Sequence, residues 1–286
     1  MRRGIAAVVG SRIVRVRRPR SRLRPIQIRP PLERLRRRVT GKTITGLGRV
    51  GKRVVVELEG GDRLVFEPRM TGRVLLAEPP DRRHLRLVFE LAGGPARQLL
   101  FWDIRGLGVV QWLSCDEFAR QLGPERLGPD ALEISADALR RRLARSRRAI
   151  KVALLDQRAL AGVGNLYASE ILHRAGVYPA SPCHRLKPPQ WEEIHARMRE
   201  VLEEAIRHQG STLSDGSYRD PQNRPGGFQE HHRVYQRAGQ LCLQCGRAAI
   251  ERIVQAQRST FFCPVCQPAR RVSVGRVCNS SRNWAS

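Results

Sequence analysis

Long apolar runs, carboxylates and lysines are all scarce in this 286-residue chain. No stretch approaches the roughly 20 consecutive apolar residues that cross a bilayer as a helix, so no membrane partner is expected. No apolar segment follows Met1, which argues against secretion and makes the cytoplasm the expected location. An Arg-rich, acid-poor start also suits an organellar transit peptide; strand-like segments such as IVRVRR and a shortage of serine oppose that alternative. No internal repeat is present. Asp plus Glu number 26 against 53 Lys plus Arg, a formal net charge of +27. Residues 1–53 carry eighteen Arg or Lys and one acid, Glu33. Such a field attracts polyanions and releases their counterions on contact, which makes nucleic acid the default partner. Lysine occurs only at 42, 52, 151 and 187, so a general arginine bias explains part of the excess.

Seven cysteines are present, and four fall in pairs: Cys242 with Cys245, and Cys263 with Cys266, seventeen residues apart. Two Cys-x-x-Cys turns at this spacing form a four-thiolate zinc ribbon around one structural Zn2+. Disulfides or redox pairs are the competing reading, which an oxidising compartment would require. Cys115, Cys183 and Cys278 have no partner motif and are expected to be unligated thiols.

The length suggests two domains, or one with an appendage. Ile5, Val8 and Val9 share one helical face ahead of Gly10, and a short opening helix is expected there. Residues 11–113 then alternate apolar with polar in short runs punctuated by Gly and Pro, the pattern of a β-sandwich or barrel of seven or eight strands. RPIQIRPPLERLRRR interrupts them and is expected to be a basic surface loop. From residue 116 the period becomes helical: DEFARQLG, SADALRRRLARS capped by Ser135, AIKVALLDQ, NLYASEILHRAG capped by Asn165, and a long helix from the proline pair at 188 to Gly210. Residues 211–240 are polar and rich in Gly and Pro, a length more often functional than structural in a loop. The expected divisions are a β-sandwich over 1–115, a helical domain over 116–240, the ribbon over 241–267, and a disordered tail over 268–286.

LAGVGNLYASEIL carries the most chemical information. A helix, a Gly-x-Gly turn and a new helix at Asn165 make a helix–turn–helix-like unit. Gly162 and Gly164 let the backbone approach a ligand, and free amides at a helix start suit a phosphate. Many helical hairpins have glycine turns, so this motif alone is weak. Beside it, AQRSTFFCPVC puts Arg258 at the tip of the zinc-held hairpin, where a rigid arginine suits a phosphate or a groove.

In order along residues 2–267, RRGI, GKRVVVEL, MTG, WDIRGLG, LGPDAL, AIKVALLDQ, GVGNLYASEIL, GSTLSD, VYQRAG, CLQCG and AQRSTFFCPVC resemble the blocks of the formamidopyrimidine-DNA glycosylase / endonuclease VIII family. The resemblance implies an α+β multidomain fold: an N-terminal β-sandwich, a helix–two-turn–helix domain and a C-terminal zinc ribbon, with damaged double-stranded DNA in the cleft between. It implies base-excision repair, namely glycosylase action on oxidised purines (8-oxoguanine, formamidopyrimidines) with lyase cleavage at the resulting abasic site. It also implies a monomer without a small-molecule cofactor.

In the family a Pro-Glu-Leu-Pro-Glu segment precedes RRGI; its proline is the amine nucleophile that attacks C1′, and its glutamate the acid–base partner. Neither is in this chain as numbered. The expectation is that Met1 is an internal codon; the alternative is a non-catalytic damaged-DNA-binding relative, and the chain as written is expected to be a poor glycosylase. By the same resemblance Lys52 is the proton donor of β-elimination and Arg258 grips the lesion phosphate and assists δ-elimination. Asn165 binds that phosphate, and Lys151 is a basic residue near the lesion. Met70, Arg105 and Leu107 fill the hole left by the flipped base. Leu107 stands where the family commonly has Phe, and Gly106 where it has a basic residue. Arg82 and His84 are expected phosphate contacts, with Arg82 replacing a histidine. A third reading, a basic zinc-ribbon protein of the ribosome or transcription machinery, rests on charge and cysteines alone and leaves the glycine–asparagine turn unexplained.

Overall fold

The computed structural model of the chain describes residues 1–212 and 218–269. The tail expected over 268–286 therefore lies, from residue 270 on, outside the described residues, as do Cys278 and part of GSTLSD.

Helical turns open the chain over Arg3–Val8, with Ile5 and Val8 fully buried. They are 3-10 turns, so the buried face repeats every three residues and Val9 is left outside it. Among the described residues, nine strands precede residue 115. These are β1 (Arg12–Arg17), β2 (Gln27–Arg29), β3 (Ile44–Val50), β4 (Arg53–Leu58), β5 (Arg63–Glu67), β6 (Gly72–Leu75), β7 (Leu85–Ala92), β8 (Gln98–Asp103) and β9 (Val109–Leu113). They form two sheets, β1-β7-β8-β6 and β2-β9-β5-β4-β3, antiparallel except for β2 against β9. Alternation decides which side chains meet between them. Val54, Val56 and Leu58 of β4 face the shared core with Phe66, Phe89 and Phe101, while Val55 faces the other way. Phe66 stands edge-on to Phe89 at 5.7 Å between ring centroids, a favoured aromatic geometry.

The expected basic surface loop is a correction: it contains β2 and a helix, α1 (Leu32–Val39). Its arginine density hides an i, i+4 pair, Leu35 and Val39, both fully buried. Glu33 lies in the first turn and Arg36, Arg37 and Arg38 in the last, which suits the helix dipole at both ends. The unrecognised β2 also raises the strand count above the expected seven or eight.

The helical unit contains α2 (Cys115–Leu122), α3 (Ala136–Leu143), α4 (Ile150–Leu154), α5 (Asn165–Arg174) and α6 (Pro188–Arg207). Ser114 and Glu117 form a capping box at α2, and the Ser135 hydroxyl accepts from the Ala138 amide at α3, as expected. Leu122 of α2 covers Val55, Val65 and Leu113 on the outer face of the five-stranded sheet, which is why those strands are apolar on both faces. The main helical core gathers Leu139, Ile150, Leu154, Ile171, Trp191, Ile194 and Met198, among others. A hairpin of β10 (Glu251–Gln255) and β11 (Arg258–Phe262) completes the ribbon. Two buried side chains tie the ribbon to the helices. Glu170 of α5 accepts the amides of Arg233, Val234 and Tyr235 at 2.8–3.0 Å, and Gln267 donates to the Val177 carbonyl at 2.8 Å.

Candidate nucleic-acid interface

A cleft of about 780 Å3 opens between the sandwich and the helices, lined by Met1, Arg3, Arg49, Lys52, Gly162 and Tyr218 among others. Arg49 bridges its two sides, donating to the Asp130 carboxylate through both terminal nitrogens at 2.6 and 2.7 Å. A bidentate pair of this kind fixes orientation as well as separation.

The turn between α4 and α5 forms one wall. Gly162 sits at φ +109°, a conformation that L side chains rarely adopt. A Cβ added to Gly164 would lie 3.6 Å from Lys52 Nζ, so the backbone here passes close to that amine. Asn165 was expected as the cap of α5; the structure makes Gly164 the cap and Asn165 the first helical residue, with no side-chain capping bond. The asparagine is thereby held for another task. Its Oδ1 accepts from Lys151 Nζ at 2.7 Å and its Nδ2 donates to the Ser259 carbonyl at 3.0 Å.

Lys151 is fully buried, and its three ammonium donors go to Asn165 Oδ1, Thr260 Oγ1 at 2.7 Å and the Ser259 carbonyl at 2.9 Å. Lys151, expected as a basic residue near the lesion, joins Asn165 to the base of the ribbon hairpin through these bonds. Burial first, and then the charge of Arg258, bring its pKa down to about 8.

Lys52 stands in the two-residue turn joining β3 to β4, behind Gly51 at φ +56°. Its ammonium is open to the cleft, yet the cleft walls strip enough water from it to bring its pKa down to about 8, with Arg258 and Arg53 adding repulsion. Arg258 begins β11 after Ala256 and Gln257, both at positive φ (46° and 61°). Two non-glycine residues in the left-handed region cost of order 1–3 kcal/mol each and are found where a tip must hold a set geometry. Lys52, Lys151 and Arg258 thus form one cationic cluster around the glycine–asparagine turn.

On the sandwich, Met70, Arg105 and Leu107 sit on two turns joined where the Arg105 amide donates to the Thr71 hydroxyl at 3.1 Å. Met70 is 63% exposed at the turn before β6, Arg105 is exposed, and Leu107 is partly buried. Gly106 between them takes φ +62°, and a Cβ there would meet the Arg24 carbonyl oxygen at 2.4 Å, so the basic side chain missing at this position has no room. One residue that sequence reasoning left unassigned organises this loop. Asp103, fully buried, accepts from the Thr71 hydroxyl at 2.5 Å, the Arg105 amide at 3.2 Å and the Gly108 amide at 2.8 Å. An Asp whose side chain accepts the amides of residues just downstream is a turn signal, and in WDIRGLG it was the available clue.

Arg82 and His84 do not meet the cluster in any contact of the structure. The His84 ring lies against Asp81, Nδ1 to Oδ1 at 2.9 Å, and stands edge-on to Trp102. Arg82 is among the most exposed side chains, 3.6 Å from Glu78.

The four paired cysteines converge, with Cys242 Sγ 3.9 Å from Cys266 Sγ and Cys245 Sγ 3.7 Å from Cys263 Sγ. Zn–S bonds of 2.3 Å in a tetrahedron put sulfurs about 3.8 Å apart, so these thiolates fit one structural Zn2+. His173 of α5 places Nε2 at 3.5 Å from Cys242 Sγ, a contact outside the ligand set that joins the zinc centre to the helical wall.

A sandwich, a glycine-turn helical unit and a zinc-held arginine hairpin around one cationic cleft define a nucleic-acid-binding protein of the helix–two-turn–helix class. Comparison with known proteins then narrows the class. Residues 1–110 match the formamidopyrimidine-DNA glycosylase N-terminal domain, 122–217 its H2TH domain, and 239–269 the zinc finger found in FPG and IleRS. Formamidopyrimidine-DNA glycosylase of Chloroflexus aurantiacus is 41% identical over 248 residues, covering 85% of this chain and 86% of that protein. The crystal structure of the MutM (Fpg) protein of Thermus thermophilus superposes with a TM-score of 0.80 at 39% identity, covering 93% of this chain and 95% of that one. Lactococcus lactis Fpg in complex with DNA containing an abasic site gives a TM-score of 0.82 at 31% identity, covering 94% and 97%. The chain belongs to the formamidopyrimidine-DNA glycosylase family.

Proposed function

We propose that this protein binds duplex DNA carrying an oxidised purine in the cleft and acts there as a base-excision glycosylase and abasic-site lyase. The single observation that carries the reading is the cationic cluster of Lys52, Lys151 and Arg258 built around Asn165 at the glycine turn. Asn165 and Arg258 hold the phosphate beside the flipped nucleotide. Lys52, whose lowered pKa leaves it a usable proton donor near neutral pH, serves the elimination that follows. Met70, Arg105 and Leu107 enter the duplex from the other wall, where an apolar side chain offsets part of the unstacking cost of a few kcal/mol. Arg82 and His84 are offered as outlying phosphate contacts. The protein works as a monomer in the cytoplasm, at the chromosome.

In the family the nucleophile opens the segment that precedes Arg2, and Met1 lines the same cleft as Lys52, so a segment joined there starts from the cleft. Attack of an amine on C1′ expels the base and leaves an iminium, which borohydride reduces to a stable cross-link. With Pro-Glu-Leu-Pro-Glu-Val-Glu-Thr restored ahead of Arg2, incubation with 8-oxoguanine or abasic DNA and borohydride is expected to give a protein–DNA adduct, and the chain as numbered little or none. Tight lesion binding by the restored chain without any adduct would overturn the enzymatic reading and favour a non-catalytic damage-binding relative.

A further inference from the structure

Beside the cleft, Glu204, His208 and His231 bring three potential ligand atoms within 4.8 Å of one another. Glu204 and His208 stand one turn apart at the end of α6, whose backbone bonding continues through the His208 amide to the Glu204 carbonyl at 3.0 Å. His231 ends a 3-10 turn over Phe228–His231 and is held by the ring of the fully buried Phe228. The two imidazoles lie 4.0 Å apart between centroids. Glu204 divides its oxygens: Oε2 accepts from Arg174 at 2.6 Å, while Oε1 faces His231 Nδ1 at 3.4 Å. That second distance is too long for a charge-assisted hydrogen bond, which closes to about 2.7–2.9 Å. All three side chains are partly exposed, so an ion has access.

We infer that Glu204, His208 and His231 form a second metal site, taking one borderline divalent transition ion such as Zn2+ or Ni2+. Two imidazole nitrogens and one carboxylate oxygen, with solvent completing the shell, are the donor set these ions prefer over Mg2+ or Ca2+. Ligand bonds of about 2.0–2.2 Å need donors about 3.3–3.6 Å apart, a contraction that small rotations of the half-exposed rings provide. The Glu204 contact to Arg174 is kept, since only Oε1 is required, and it orients the carboxylate as an outer partner does in known metal sites.

The site has a structural consequence. His208 and His231 flank the segment from Gln209 to Glu230, and Gln209, Gly210, Tyr218 and Asp220 of that segment line the cleft. An ion shared by the two histidines pins both ends of a cleft-wall segment, adding to the backbone bonds between Gly227 and His208 and between Phe228 and Gly210 that already join them. Neither the ribbon nor the glycosylase reading is needed for this inference.

The test is calorimetric titration of Ni2+ into the tag-free, full-length protein with its ribbon loaded with zinc, and with zinc retention checked by mass spectrometry. One Ni2+ per chain is expected to bind saturably without displacing zinc. His208→Gln and His231→Gln are each expected to weaken that binding at least tenfold, and His184→Gln, at an exposed histidine elsewhere, to leave it unchanged. Independently of any variant, one equivalent of Cu2+ on the unaltered protein is expected to show an electron-paramagnetic spectrum split by two imidazole nitrogens. Absence of saturable Ni2+ binding, equal binding by either glutamine variant, or a Cu2+ spectrum without nitrogen splitting would overturn the inference.

Discussion

The two walls of the proposed DNA interface, helical and ribbon on one side and sandwich on the other, are built on different principles. On the helical and ribbon side, the groups assigned to the DNA phosphate rest on polar bonds that cross between units, Lys151 to Thr260 and Asn165 to Ser259. Glu170 fastens the chain entering the ribbon to α5 through three backbone amides. On the sandwich side, Met70 and Arg105 project into solvent from a loop organised by one buried carboxylate, Asp103. The first wall is preorganised, the second presents tips on a single anchor. A phosphate grip acts through fixed charge and gains from rigidity, whereas a wedge enters a duplex whose shape changes as it does so.

Disrupting the zinc centre is the strongest way to break the rigid wall. Chelation, or Cys263→Ser, is expected to lower affinity for lesion DNA by more than about 100-fold, because structural zinc supplies the folding energy of such a ribbon. Filter binding before and after zinc restoration measures the loss. For the other wall, Asp103→Ala leaves the Arg105 and Gly108 amides and the Thr71 hydroxyl without their acceptor. Urea denaturation is expected to show a loss of about 1–3 kcal/mol, with the ribbon's zinc content unchanged.

Lysine chemistry sharpens the contrast further. With only four lysines in the chain, spectra labelled at the ε-carbon resolve each one, and Lys52 and Lys151 are both expected to titrate near 8. Each is cationic below that pH and neutral above it. DNA phosphate favours the cation, so binding is expected to raise the Lys52 pKa, and affinity falls as pH rises through about 8. Lys52→Met removes this part of the pH dependence. The smallest effect belongs to the wedge: Met70→Ala, at an exposed tip, is expected to change stability by less than about 0.5 kcal/mol. Its cost falls on discrimination between damaged and intact DNA, read by competition binding.

What was legible in the sequence divides instead between local motifs and long-range supports. The local motifs were readable, because a glycine turn, a cysteine spacing and an arginine ahead of a Cys-x-x-Cys each carry a pattern. The sandwich was readable from period-two alternation and the helices from their caps. The supports were not. Lys151 carries the outward signature of a free cation, and only the fold shows three acceptors converging on it from two units. Asn165 has the composition of a helix cap and is displaced from that role by one residue, which frees its amide for Ser259. The helix over Leu32–Val39 was hidden by four arginines and a preceding proline pair, although two aliphatic residues a turn apart were enough to bury one face. Long-range partners of this kind have no sequence period, so nothing in a window of ten or twenty residues reports them.

A cationic cluster that reads a lesion in duplex DNA behaves differently from one that attracts polyanions at large. The most direct measurement is the affinity for a duplex with a central tetrahydrofuran abasic analogue against the same intact duplex and an RNA hairpin, at two salt concentrations, for the unaltered chain and Arg258→Ala. The account predicts at least roughly tenfold preference for the lesion, with Arg258→Ala costing about 1–3 kcal/mol on the damaged duplex and little on the intact one. Equal affinity for all three nucleic acids, or a preference for RNA, would contradict it and leave only a basic zinc-ribbon protein.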